Sequence, residues 1–168
     1  ILRNAENNAE ILVNTIIGGT DISDLVISIL IIGVLTGISE ELFFRGGLQS
    51  ILVRSTGNIH AAIWLTAFVF SAVHMQFFGF FPRLLMGAFF GYLLYWSNSL
   101  WLPVLVHALN NSIVVTLTWL GTRGYSEALL FENFGIDWQW CLASAVLTAL
   151  SVWRLIRFSN RMKRRYKY

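Results

Sequence analysis

Three groups of residues in this chain stand where chemistry would be costly to place without a purpose. Glu40, Glu41 and Arg45 close an apolar run, His74 closes a second, and His107 lies inside another with Asn110 and Asn111. An ionisable side chain at a bilayer centre costs about 2.5–3.5 kcal/mol on insertion scales for Arg, Lys or Asp, so each such group needs a partner or a wet cavity. Glu41 and Arg45 are four apart with Glu first, the favourable order for a helical ion pair. Glu40 lies about 100° around the helix from Glu41. It therefore stands outside that pair, as a carboxylate suited to general-base work. A single histidine is more often a packed, hydrogen-bonded side chain than a catalyst. Two of them beside an unpaired carboxylate shift those odds. His107 and Asn111 project from one helix face, where an imidazole and an amide can donate two hydrogen bonds to one oxygen, as an oxyanion site requires. Asn110 points elsewhere and is assigned to packing or a backbone hydrogen bond. Glu plus two His is also a zinc donor set. H-E-x-x-H is absent, however, and Asn111 would be an unusual fourth ligand, so no cofactor is expected and zinc is the lesser alternative.

The elements that must carry these residues are apolar. The 168 residues are 56% hydrophobic, 15% aromatic and only 12% charged, with a mean hydropathy of +0.63. Soluble domains carry about 25% charged residues, so the composition is that of a membrane protein. The expected fold is all-α: a polytopic transmembrane bundle of about five spans in a single domain over 1–168, with a membrane core over 22–157. The first span starts near Ile22, capped by Asp21 or Ser23, and runs through Ile38, or past Gly46-Gly47 to Val53. The others are 59–74, 84–98, 100–121 and 138–156. Pro82 marks a break between the second and third, and Pro103 falls in the first turn of the fourth, where it is tolerated. Gly87-x-x-x-Gly91 reads as a helix contact. Residues 1–20 are expected to form an interfacial helix or linker. The start at Ile1 leads us to expect further helices upstream. The lone cysteine, Cys141, excludes an intramolecular disulfide and is read as a small buried or lipid-facing side chain.

The net charge of +3 is unevenly spread. Arg154, Arg157, Arg161, Lys163, Arg164, Arg165 and Lys167 crowd the C-terminal end. A basic tail (158–168) after an apolar helix is a cytoplasmic anchor under the positive-inside rule. No other basic surface supports nucleic-acid binding. The expected partners are the lipid bilayer and a peptide or protein substrate. The expected location is a bacterial plasma membrane, multi-pass, with the C-terminus cytoplasmic.

Placed in order on successive spans, E-E-x-x-x-R at Glu40–Arg45, F-x-x-x-H at Phe70–His74 and H-x-x-x-N at His107–Asn111 resemble the CAAX protease and bacteriocin-processing family, also called the Abi family. That family includes the type II CAAX prenyl proteases, glutamate-dependent intramembrane endopeptidases. The resemblance implies that Glu40 activates water, that His74 helps bind or polarise it, and that His107 and Asn111 stabilise the oxyanion. Glu41 and Arg45 would brace the site and Phe70 would shape the cavity. It also implies a site reached from the cytosolic side. The resulting expectation is an intramembrane glutamic endopeptidase. A non-catalytic bacteriocin self-immunity or partner-binding protein of the same fold is the alternative. A small transporter or proton relay is a third reading, weakened by the lack of an internal repeat. Other intramembrane protease classes fit less well, since there is no Gly-x-Ser-Gly motif with a matching histidine and no pair of membrane aspartates.

Overall fold

A computed structural model describes Gly19, residues 21–77, residues 79–121, Arg123 and residues 138–165. The described residues form helices and turns, with no strand. The helices are α1 (Ile22–Thr56), α2 (Ile59–Val73), α3 (Phe80–Ser97), α4 (Trp101–Leu120) and α5 (Trp138–Arg165). The expected interfacial helix within 1–20, most of the 122–137 loop and the last residues of the tail lie outside the described residues. So do the side chains of Trp138, Trp140 and Cys141.

Of the two versions of the first span, the longer one holds. α1 passes through Gly46-Gly47 without a break and ends at Gly57, whose φ of 63° closes the helix in the left-handed conformation that glycine adopts without penalty. Asp21 caps its start, and the Asp21 backbone N–H donates to Asp24 Oδ2 at 3.1 Å. Asn58 caps α2 by accepting from the backbone N–H groups of His60 and Ala61. The break after α2 comes earlier than Pro82. Val73 is the last residue of α2, and the chain turns through Met75 at φ 56°. Pro82 instead sits in the first turn of α3, where its missing N–H has no intrahelical acceptor to lose. α5 runs past the expected boundary at residue 157 to Arg165, since Lys and Arg are good helix formers and suit a helix C-terminus.

α1 is not uniformly α-helical. Ile29–Leu35 and Leu42–Gln49 are wound as π-helix, and Thr36–Glu41 between them is α-helical. Carbonyls of the wider turns are met by side chains: Thr36 Oγ1 donates to Ile31 O and Ser50 Oγ to Arg45 O. Nothing in the residue pattern announced these turns.

The other helices divide α1 between them. Its N-terminal half packs on α4, where Val115 and Trp119 meet Leu25, Ile29 and Ile32. A Cβ at Gly37 would lie 3.0 Å from the Ala108 nitrogen, and one at Gly33 would lie 2.4 Å from Ser112 Oγ, so both glycines admit α4 at close range. The C-terminal half packs on the α2–α3 hairpin, whose own core is Ile63, Ala67 and Ala88. Gly87 and Gly91 form the expected helix contact: a Cβ at either would crowd Ala67 and Phe70, or Ile63 and Gln49. α5 lies against α3.

Burial runs opposite to that of a water-soluble bundle. Glu41, Arg45, Gln49, Thr66 and His107 are buried, while Leu35, Phe43, Ile51, Phe68, Leu109 and Leu147 are more than half exposed. Large apolar side chains on the outside with charges inside are consistent with lipid as the surrounding solvent. Two helices, α1 and α4, are long and apolar enough to cross a membrane, and α2 is apolar but shorter.

Candidate active site

The sequence-predicted residues Glu40, Glu41, Arg45, Phe70, His74 and His107 meet where the two halves of α1 join. Glu41 points inward and is fully buried. Its Oε1 accepts from Arg45 Nη1 at 2.8 Å and from His107 Nδ1 at 2.7 Å. A carboxylate oxygen holding two such donors is read as ionised. The Arg45 guanidinium also donates from Nη2 to the carbonyl of Gly87 at 2.9 Å. Its planar face lies against aromatic rings, with Cζ 4.7 Å from the centroid of Phe70 and 5.3 Å from that of Phe90. Glu41 and Arg45 thus form the ion pair that their spacing indicated, and His107 joins it from α4.

Glu40, the next residue round, takes the open side. Its side chain keeps 24% of its exposure and that of His74 keeps 29%. Its two oxygens divide between the histidines: Oε1 is 3.8 Å from His74 Nε2, and Oε2 is 3.6 Å from His107 Nε2. Both separations exceed a direct hydrogen bond and suit one bridging water.

The other ring nitrogens fix the tautomers. His74 caps the end of α2, and its Nδ1–H donates to the carbonyl of Phe70 at 2.7 Å. A carbonyl only accepts, so Nδ1 carries the proton and Nε2 is the edge turned to Glu40. His107 does the same with the Glu41 carboxylate as acceptor. Its ring stacks on Phe90 at 4.8 Å and 24°. Phe70 is buried and touches three of these groups edge-on or face-on: its ring is 5.0 Å from His74 and 6.0 Å from His107, with Arg45 above it.

Asn111 follows His107 by one turn but faces the first π stretch of α1. One amide N–H donates to the carbonyl of Ile32 at 3.3 Å, and Oδ1 accepts from Asn110 at 3.3 Å. The second amide hydrogen is not engaged in these bonds. Asn110 therefore bonds its neighbour's side chain rather than the backbone.

Two contributors escaped the sequence reading. Gln49 follows Arg45 by four residues and donates from Nε2 to Gly91 O at 3.4 Å. The Glu41–Arg45–Gln49 spacing within an apolar stretch was the available signal. Phe90, the platform under His107, had none, because it is one of thirteen phenylalanines.

No group of three or more His, Cys, Asp or Glu among the described residues is arranged to hold a metal ion.

The family described as type II CAAX prenyl endopeptidase Rce1-like matches residues 22–113. The match covers more than half of the chain, takes in α1, α2, α3 and the first part of α4, and includes every site residue named above. No curated protein and no solved structure matches the chain.

Proposed function

The chain belongs to the type II CAAX prenyl endopeptidase Rce1-like family, and from that membership we propose that it is a membrane-embedded endopeptidase in which Glu40 activates water for attack on a peptide bond. The observation that carries this reading is Glu40 lying one water's width from the Nε2 edges of both His74 and His107. A water there donates one hydrogen to the Glu40 carboxylate, and the other to an imidazole lone pair. Its oxygen attacks the scissile carbonyl carbon as Glu40 takes the proton. The negative charge then forming on the carbonyl oxygen needs donors. In this reading His107 supplies one from Nε2–H while its Nδ1–H stays on the Glu41 carboxylate, and the second amide hydrogen of Asn111 supplies another. Glu40 returns its proton to the departing amine nitrogen as the C–N bond breaks.

We place all five helices in one multi-pass bundle with the C-terminus in the cytoplasm, its basic end held there by the positive-inside effect. The substrate is a peptide or protein segment delivered through the bilayer. In a bacterial plasma membrane, a bacteriocin, signal or leader peptide is a more natural substrate than a prenylated tail. One observation favours a second reading. Each histidine donates its Nδ1–H to a carboxylate or carbonyl, the outer-sphere pattern of metal-binding imidazoles.

The test is purified protein in detergent with a mixed peptide library, with and without chelator, beside Glu40→Gln checked for folding. Cleavage that survives chelation and vanishes in Glu40→Gln is the expected result. Loss on chelation with recovery on added zinc would replace it with the metal reading. Cleavage retained by folded Glu40→Gln would overturn both. A binding protein predicts no cleavage by either form and partner capture by both.

A further inference from the structure

One face of α1 carries Glu41, Arg45 and Gln49 at four-residue intervals, all buried. Each has a polar atom that pairs with no protein group: Glu41 Oε2, Arg45 Nε and Gln49 Oε1. The same is true of Thr66 Oγ1 on α2. Thr66 sits between Ile63, which meets Gly91 beside Gln49, and Phe70, which lies under Arg45. It therefore belongs to the same column, facing it from α2. Buried polar atoms in folded proteins are satisfied by protein or by ordered water, and a water is held where several polar atoms surround it. Donor and acceptor types alternate here, with carboxylate, guanidinium N–H, amide oxygen and hydroxyl in turn. A file of waters can bridge such a series.

The column opens at one end. Beyond Arg45 and Gln49 lies a cavity of about 370 Å³, lined also by Ser50, Arg54, Tyr95 and Asn98. It sits where α1 turns into α2 and α3 ends. At its other end the column reaches Glu41 and the neighbouring Glu40. The open side of Glu40 and His74 is different in kind, since Phe43, Val73 and Phe77, within three residues of them along the chain, are exposed. A peptide arriving across that apolar rim brings little water, yet hydrolysis consumes one molecule per bond.

We infer that the Glu41–Arg45–Gln49 column, with Thr66 opposite, is a water conduit that feeds the two carboxylates from the Arg54–Asn98 cavity, on a path separate from that of the substrate. Its purpose rests on the hydrolytic reading above; its existence does not.

Radiolytic hydroxyl labelling of the detergent-purified chain tests it without any substrate. Internal water oxidises the side chains beside it. Phe44, Phe70 and Phe90 ring the Arg45 guanidinium and are buried, so the conduit predicts labelling of all three despite burial. Thr66→Val, which keeps the shape and removes the hydroxyl, should lower that labelling several-fold, and Thr66→Val with Gln49→Leu should lower it further. Labelling of exposed Phe81 should stay unchanged, and Thr66→Ser should label as the parent does. Buried rings that stay inert in the parent, or that label equally in folded Thr66→Val, would overturn the conduit. In the cleavage assay the same variants should lower kcat several-fold and leave KM in place. Unchanged kcat in a variant with dried rings would overturn the supply role. A parent with labelled rings and no cleavage would sink the protease reading and leave the conduit standing.

Discussion

At the scale of single residues, neighbours one position apart have opposite fates. Glu41 is sealed inside an ion pair and holds His107, while Glu40 is left facing the opening. Removing the cation should show how much depends on that seal. Arg45→Met deletes the cationic partner of a fully buried carboxylate, and breaking such a pair costs about 3–5 kcal/mol because the remaining charge is left uncompensated. The expected result is a large fall in thermal stability in detergent, partly restored by adding Glu41→Gln. A melting point unmoved by Arg45→Met would mean that the Glu41–Arg45 pair contributes nothing to the stability of the fold. The roles of these residues in the sequence followed from ordinary rules: the four-residue spacing gave the ion pair, and the one-residue offset released Glu40. The tautomers of the histidines did not follow, because they depend on which carbonyl or carboxylate the fold brings to each Nδ1. Asn111 is the clearest case. Its spacing from His107 was readable, but its bond to the Ile32 carbonyl arises from a π stretch that leaves no mark in residue type.

At the scale of elements, glycines set how closely α1 approaches its neighbours. Gly37→Ala would put a methyl 3.0 Å from the α4 backbone at Ala108. Overpacking of this kind costs about 1–3 kcal/mol, and it should also draw His107 away from Glu41. Gly47 is the control. A Cβ there meets nothing nearer than Leu42 O at 3.8 Å, so Gly47→Ala should be neutral or stabilising by about 0.5–1 kcal/mol, as glycine is a poor residue within a helix. Thermal melts of the two variants decide this, and equal effects would contradict the packing described. The Gly87/Gly91 contact was visible as a four-residue repeat. Gly33 and Gly37 share that spacing, but the run around them reads as a plain hydrophobic span. The Gly46-Gly47 pair offered a break that did not occur, since neither residue is asked to turn the chain.

At the scale of the whole molecule, α1 is the axis. At ~1.5 Å per residue its 35 residues extend over roughly 50 Å, well beyond a hydrocarbon core of about 30 Å. Such a helix must tilt or emerge. α2 covers only one half of it and α4 the other, which sets His74, at the end of α2, and His107, in the second turn of α4, level with Glu40. Both versions of the first span allowed one site, and the structure has the one in which α1 continues through Gly46-Gly47. The proposed orientation rests on the basic C-terminal end. A fluorescent protein fused after Tyr168 should be bright and an alkaline phosphatase fused there inactive; the reverse would place that end outside the cytoplasm.

The two bonds from α1 to the α3 backbone share one offset: Arg45 to Gly87 and Gln49 to Gly91 are each 42 residues apart. They act like two teeth of a rack engaged at once. α3 cannot creep along α1 by a fraction of a turn and keep either, and a shift by a full turn would offer each tooth its neighbour's slot. One residue inserted between Gly87 and Gly91 would throw the pair out of mesh, whereas one inserted in the turn at Gly57 would leave it engaged. The depth of Arg45, and with it the height of the carboxylates, is therefore indexed in whole turns.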